Sequence, residues 1–507
     1  MYSIFRTKSV QTLQQESSSH GEGSLQRTLT PFKLIVLGIG IIVGAGIFSV
    51  TGTIAANHTG PAITLSFVIA ACICGLTGLC YAELASRMPI SGSAYTYTYA
   101  TIGELPAWIV GWNIILEYMV GGTVVCVSWS QYFQNFLSDC GIHVPLALAA
   151  CPAEGGIINL PALLIAGLMS TFLIRGIKQS TWVNNIIVTL KLIIIFLFII
   201  LGWHYIKAEN LTPYIPANTG EFGSFGVSGI LRGAGIAFFA FLGFDSVSTM
   251  AQETRNPRRN MPIGILGSLV VVMIIYALFS HVLTGVANYH EFQGADSIAP
   301  VSVAIAHMPW QWLNKLIVLA ILLGYSSVIL VMQMAQSRIF MVMGQDGMLS
   351  KGFSSIHPRW RTPWKSSLFV AVAMALMAGF MSGRAAGELC SIGTLFAFTF
   401  VCAAIIVLRR RDRKSQAASA TADASPEDSP AISPQDSGKS ASYFRVPWVP
   451  FIPLCSIAIS LTLIVSLPIV TWYRMAVWTI LGLIIYFAYS KKHSRLNSPS
   501  SSSSTTV

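Results

Sequence analysis

The sequence predicts an all-α membrane protein with twelve transmembrane helices, the first and sixth of them broken near their middles. Three observations predict it. Of 507 residues, 53% are hydrophobic and only 10% are charged, against roughly 25% charged in a soluble domain; so little charge cannot cover a surface that faces water. Apolar segments of about 20 residues, the length that crosses a bilayer, recur along the chain. Two of them carry glycine where a plain spanning helix has no use for it. These are Gly44-Ala45-Gly46-Ile47-Phe48 in the first and Phe238-Phe239-Ala240-Phe241-Leu242-Gly243-Phe244-Asp245 in the sixth.

Residues 1–30 are polar and lack the apolar core of a cleavable signal peptide. They read as a disordered cytoplasmic arm, and the first span is then expected to act as the insertion signal. Spans follow near 33–56, 61–85, 104–132, 158–175, 181–203, 229–251, 263–287, 311–342, 365–383, 386–408, 448–470 and 473–490. The first ten form a transporter core over residues 31–410. A cytoplasmic linker, 411–446, is rich in Ser, Ala, Pro and acids between Ser415 and Ser442 and is expected to be largely disordered. The last two spans occupy 447–492, and a Ser-rich tail, 493–507, closes the chain.

The net charge of +11 would suit nucleic acid, but its placement argues otherwise. Of the 31 basic residues, all but Lys191, Lys207, Arg232, Lys315, Arg384 and Arg474 fall in segments on one side of this map. That asymmetry is how membrane topology is encoded, and it places both termini in the cytoplasm. The nine cysteines show no zinc spacing. Cys140 and Cys151 share a loop on the outer side, and a disulfide between them is one reading, resting on topology alone.

Glycine costs about 1 kcal/mol relative to alanine inside a helix. One reading of Gly44 and Gly46 is close helix packing, since small residues let membrane helices approach. Two interruptions in matching places of two sets of five spans favour another: a binding site at the midplane of an inverted repeat. Three ionisable residues fall well inside spans: Glu117, Lys191 and Asp245. A charge at mid-bilayer costs about 2.5–3.5 kcal/mol even on a lenient scale, so each needs a partner or a task. Burial disfavours the charged form of an amine, so a lysine in this place can pick up and release a proton. The competing reading is a static ion pair with Glu117 or Asp245. Asn184, seven residues before Lys191 and on nearly the same face, is suited to hydrogen-bonding within the bundle.

Several pieces, in order, carry a resemblance. They are Gly38-Ile39-Gly40 leading into Gly44–Phe48, then Tyr81-Ala82-Glu83-Leu84-Ala85 through Pro89-Ile90-Ser91-Gly92-Ser93-Ala94-Tyr95. Gly111-Trp112-Asn113 and Leu116-Glu117-Tyr118 follow, then the Phe239–Asp245 run and Glu253-Thr254-Arg255-Asn256-Pro257. Ser337-Arg338 with Asp346-Gly347-Met348-Leu349 completes the set. Over roughly residues 33–490 the chain resembles the amino acid–polyamine–organocation superfamily, and within it the bacterial cationic amino acid transporters.

The resemblance implies a LeuT-like five-plus-five inverted repeat with two further helices. It implies a substrate α-carboxylate held by free backbone N–H groups near Gly44, Ala45 and Gly46, reinforced by the positive end of the following half-helix. The α-ammonium would take carbonyls near Ile42, Phe239 and Leu242, and Phe239, Phe241, Met119 and Val120 would wall the side chain. Lys191 would stand where sodium sits in sodium-coupled relatives, with Glu117 and Asp245 as further proton-coupling candidates. The function so implied is secondary active transport of L-amino acids by alternating access, coupled to protons, in the plasma membrane. Exchange of one amine for another, with Lys191 structural, and a transporter-like nutrient sensor are the alternatives. A membrane enzyme is disfavoured. The sequence has no G-x-x-x-x-G-K-[ST] loop and no H-E-x-x-H, and no cofactor or metal is called for. The expected partners are substrate, protons and the bilayer, with no nucleic acid; oligomeric state leaves no mark on the sequence.

Overall fold

Thr30 caps the first helix, its hydroxyl accepting the Lys33 N–H at 3.4 Å, and Pro31 supplies a preset φ at the first helical position. From there the chain is helical almost throughout. The computed structural model describes residues 6–9, 25, 27–44, 46–241, 243–292, 300–310, 312–422, 443–465 and 469–497. Among them the only β pairing is an isolated bridge between Leu29 and Thr254.

Among the described residues, seven helical stretches are long and apolar enough to cross a membrane: Thr51–Arg87, Glu104–Ser138, Ser180–Trp203, Pro257–Val286, Trp312–Gln345, Gly393–Lys414 and Trp472–His493. Shorter apolar helices lie at Pro31–Ile42, Leu160–Ile174, Gly226–Phe238, Trp364–Phe380 and Phe451–Val465. All of them overlap the apolar segments read from the sequence. Their outward faces are apolar at helical spacing. Ile186, Leu190, Ile193, Phe196 and Ile200 are exposed along one, and Leu368, Val372, Leu376 and Phe380 along another. Such continuous stripes suit lipid rather than water.

The Pro257–Val286 helix lies against both Ile63–Arg87 and Pro31–Ile42, while Glu104–Asp139 packs between Trp312–Gln345 and Gly383–Ala422. Trp112 stacks on Trp478 at 4.6 Å, and the Trp108 indole N–H donates to Gly482 O at 2.8 Å, which seats the Ile469–Ile485 helix on Glu104–Asp139.

Both expected interruptions are present as departures from α-helix. The first helix ends at Ile42, Val43 takes φ −77° and ψ 89°, and the chain resumes as a π-helical turn at Gly46–Val50. The Gly226–Phe238 helix tightens to a 3-10 turn at Phe239–Phe241, and Gly243 adopts φ +100° before a second 3-10 stretch, Phe244–Glu253. A left-handed φ suits glycine because it has no Cβ to clash.

Three features differ from the sequence reading. Cys140 and Cys151 are both free thiols, Cys140 exposed and Cys151 buried, so the loop is not closed by a disulfide. The Gly383–Ala422 helix runs into the stretch assigned to disordered linker, because Gln416-Ala417-Ala418-Ser419-Ala420 follows an existing helix and alanine propagates one readily. And part of the N-terminal arm is held in place. Lys8 Nζ donates to Asp346 Oδ1 at 2.7 Å, Tyr95 donates to the other carboxylate oxygen at 2.9 Å, and Arg6 reaches Leu496 O and Asn497 Oδ1.

A fully buried charge pair joins the end of the second broken span to the Trp312–Gln345 helix. Arg338 and Glu253 are both essentially inaccessible, with Nη2 to Oε1 at 2.8 Å and Nε to Oε1 at 3.2 Å. The remaining guanidinium nitrogen donates to Met334 O and Ser337 Oγ. The Glu253 backbone carbonyl in turn accepts the N–H groups of Thr28 and Leu29, so the entry to the first helix is tied to the same point. Glu253→Gln leaves the arginine charge buried and is expected to cost about 3–5 kcal/mol. Melting of the detergent-solubilised variant checks this, and Glu253→Met with Arg338→Met is expected to recover much of the loss.

Candidate functional site

A helix that stops inside a membrane leaves its last carbonyls without N–H partners, and no water is at hand to satisfy them. The oxygens concerned here are those of Gly40, Ile42 and Val43, since Ile39 O accepts the Val43 N–H at 3.0 Å. Lys191, fully buried in the Ile177–Trp203 helix, places Nζ 2.7 Å from Val43 O, 3.1 Å from Gly40 O and 3.4 Å from Ile39 O. Ser327, from the Trp312–Gln345 helix, lies with its Oγ 2.8 Å from the same nitrogen and 2.6 Å from Gly40 O. An ammonium has three donors and no acceptor, so it suits a ring of oxygens.

The second device is Tyr276 of the Pro257–Val286 helix. Its buried hydroxyl lies 2.8 Å from Ile42 O and 3.1 Å from Ala240 O. One hydroxyl therefore spans the carbonyls of both breaks. The breaks also touch directly: a Cβ built on Gly46 would stand 2.6 Å from Ala240 Cα, well inside contact distance. On the other flank, a Cβ on Gly243 would stand 2.8 Å from Ile41 Cγ1. Both glycines are thus required by backbone-to-neighbour approach.

The ionisable residues inside the spans divide into two places. Lys191 has no carboxylate partner among the described residues; it sits on backbone and Ser327 oxygens. The ion pair with Glu117 or Asp245 weighed above is therefore not formed here. Glu117 accepts the Thr394 hydroxyl. Asp245 accepts the Tyr118 hydroxyl at 2.6 Å, and Ser246 donates to Tyr118 Oη at 2.9 Å. Glu117 and Tyr118 are neighbours on one helix, so the two acids belong to the interface of Glu104–Asp139 with the second broken span and with Gly383–Ala422.

Of the residues expected to hold substrate, Ile42 offers a carbonyl already engaged by Tyr276, and Gly44 and Gly46 flank the break. Ala45 and Leu242 lie outside the described residues, as does the Phe239 side chain. Phe241 is fully buried and packs on Tyr276 and Phe67, with centroids 5.1 Å and 6.4 Å away. Val120 is buried and Met119 half-buried. Asn184 lies against Gly40, and neither atom of its carboxamide has a hydrogen-bond partner among the described residues. Tyr276 and Ser327 were missed by sequence reasoning. A lone tyrosine or serine in an apolar run carries no motif; the usable signal was that a broken helix demands donors from neighbouring spans.

A family model for amino acid permeases matches residues 29–486, nearly the whole helical region just described. The chain belongs to the amino acid permease family. It is a multi-pass membrane transporter of the amino acid–polyamine–organocation superfamily, not an enzyme. This permease is 39% identical over 499 residues to the methylthioribose transporter of Bacillus subtilis, covering 98% of this chain and 100% of the other. It is 42% identical over 499 residues to the branched-chain amino acid permease BcaP of the same organism, covering 98% and 99%. With the vacuolar cationic amino acid transporter 2 of Arabidopsis thaliana it shares 36% identity over 408 residues, 80% of this chain and 63% of that protein.

Tyr276→Phe removes the one hydroxyl that serves both breaks. The permease is expected to lose about 1–3 kcal/mol of stability, the cost of a buried acceptor left unmatched, read as a lowered melting temperature with expression retained. Gly46→Val forces the breaks apart and is expected to abolish substrate binding, measured by isothermal calorimetry or scintillation proximity.

Proposed function

We propose that this permease is a secondary active transporter of L-amino acids, working by alternating access and coupled to protons. The observation that carries the proposal is the seat of Lys191. Its Nζ holds the last-turn carbonyls of the first half-helix to Ser327 of the Trp312–Gln345 helix. As an ammonium it donates three hydrogen bonds; as an amine it has two donors and a lone pair facing carbonyl oxygens. Proton loss thus loosens the join between the first half-helix and its neighbour. A proton taken up from one side and released to the other would tie the movement of that half-helix to the gradient.

The substrate fits the same breaks. The N–H groups that begin the turn at Gly46–Val50 suit a carboxylate, since the first N–H groups of a helix have no partner within it and carry its partial positive end. Carbonyls at the ends of the two interrupted helices suit an α-ammonium. Backbone groups of this kind read only the amino acid core, so side-chain selectivity falls to the surrounding residues, Met119 and Val120 among them. The relatives' names span branched-chain and cationic amino acids and a thiosugar. Among the described residues Glu117 accepts the Thr394 hydroxyl and Asp245 accepts the Tyr118 hydroxyl on one oxygen, while Asp245 Oδ1 has no hydrogen-bond partner, so these acids do not select between a neutral and a cationic side chain.

The seven long and five shorter apolar helices support twelve spans, arranged as a LeuT-like five-plus-five repeat with two additional helices. The distribution of basic residues supports a plasma-membrane orientation with both termini in the cytoplasm. A thermal-shift screen of the twenty amino acids on purified protein identifies the substrate, and uptake into proteoliposomes under an imposed pH gradient tests the coupling. Lys191→Met is expected to keep folding and substrate binding while uptake loses its response to the gradient. A wild-type response in that variant would remove the lysine from coupling and leave exchange as the reading.

A further inference from the structure

Where the Gly383–Ala422 helix leaves the bundle, Arg87, Arg409, Arg413 and Arg445 gather around two carboxylates. Glu83 is fully buried. Its oxygens take Arg409 Nη2 at 2.9 Å, Arg87 Nη1 at 3.4 Å and the Val446 backbone N–H at 2.7 Å. Asp412 takes Arg87 Nη2 at 2.8 Å. Both acids are therefore occupied. Among the described residues, no carboxylate pairs with Arg413 or Arg445, and Arg445 reaches only the Tyr443 hydroxyl at 3.2 Å while lying 5.1 Å from that ring. Arg409 Nε is buried and has no hydrogen-bond partner among the described residues.

Beside them lies a partly open cavity of about 240 Å³, lined by Arg409, Asp412, Arg413, Arg445, Val446 and Val449. Three guanidiniums thus face one void across from a single, already paired acid. Guanidinium donors in a fork match the oxygens of a phosphate group better than a point charge does. The void is smaller than the roughly 300–1,000 Å³ of a site for a drug-sized molecule, which is the scale of a headgroup. The neighbouring residues set its level in the membrane. Trp448 is 78% exposed and Phe451 64% exposed, and the helix that starts at Phe451 goes on to present Leu454 and Leu461 outward. An exposed tryptophan at the start of an apolar helix marks the membrane–water boundary, where lipid phosphates lie. Basic pockets between membrane helices at that boundary suit anionic headgroups.

We propose that this cavity binds the phosphate-bearing headgroup of an anionic lipid, which holds the Phe451–Val465 helix to the end of the Gly383–Ala422 helix. The bound lipid lends stability at the point where the linker rejoins the bundle. The competing occupant is the linker itself, through Asp423, Glu427, Asp428 or Asp436.

The test melts full-length protein in a zwitterionic detergent with added phosphatidylglycerol, phosphatidylcholine or inorganic phosphate, with native mass spectrometry counting retained lipid. Phosphatidylglycerol is expected to raise the melting temperature by about 2 °C or more, with no such rise from the other two. Arg413→Ala with Arg445→Ala is expected to abolish the rise, and Arg410→Ala, exposed and outside the cavity, to retain it. Arg445→Ala alone serves if the double variant fails to fold. An equal rise in the double variant overturns the site, and an equal rise with inorganic phosphate overturns the lipid as its occupant. A rise seen only after removal of residues 415–442 assigns the cavity to the linker and overturns the proposal. None of these outcomes depends on which solute the breaks carry.

Discussion

Unsatisfied carbonyl oxygens at the end of a helix that stops inside the membrane set the terms for the rest of this structure. They are buried here, and protein donors serve them. Lys191 and Ser327 serve Gly40 and Val43, and Tyr276 serves Ile42 while reaching across to Ala240. Three different helices therefore send a donor to one broken turn. Each is held in register by that contact, and the break acts as the hub around which neighbouring spans are placed.

The same economy governs the buried charges. Arg338 and Glu253 neutralise each other, with the spare guanidinium nitrogen given to Met334 O and Ser337 Oγ. Asp346 is matched by Lys8 and Tyr95, and Glu83 by two arginines and a backbone N–H. These three clusters join segments distant in sequence: the entry to the first helix, the end of the second broken span, the residues after Trp312–Gln345 and the start of the last helices. Lys191 and Asp245 differ. Each is a buried ionisable group matched by dipoles rather than by a countercharge, an arrangement that tolerates either protonation state better than an ion pair would.

Much of the architecture could be read from residue order. Span-length apolar runs became helices, and Gly44, Gly46 and Gly243 marked where helices are interrupted, because hydrophobicity and glycine's backbone freedom act locally. Lys191 was singled out by its depth in an apolar run. Its partners were not, since the oxygens it binds come from residues about 150 positions before it and 136 after it in the chain. Tyr276 and Ser327 were invisible for a related reason: a single hydroxyl in an apolar helix looks the same whether it bonds its own backbone or another helix. The supposed Cys140–Cys151 bridge rested on sidedness alone, which does not bring two thiols within bonding geometry. Composition likewise overestimated the disorder beyond Lys414, where alanine extends a helix that already exists.

The sequence by itself determined that this chain is a multi-pass membrane protein, which stretches form its apolar helices and where two of them give way. Each of those properties is set by transfer free energy and backbone preference within a window of a few tens of residues. Only the tertiary structure decided which side chain answers each orphaned oxygen, that the two breaks abut at Gly46 and Ala240, and that Glu117 and Asp245 stand apart from Lys191. Those outcomes depend on how separate helices rotate and approach, and close packing between spans fixes that only when all of them are assembled.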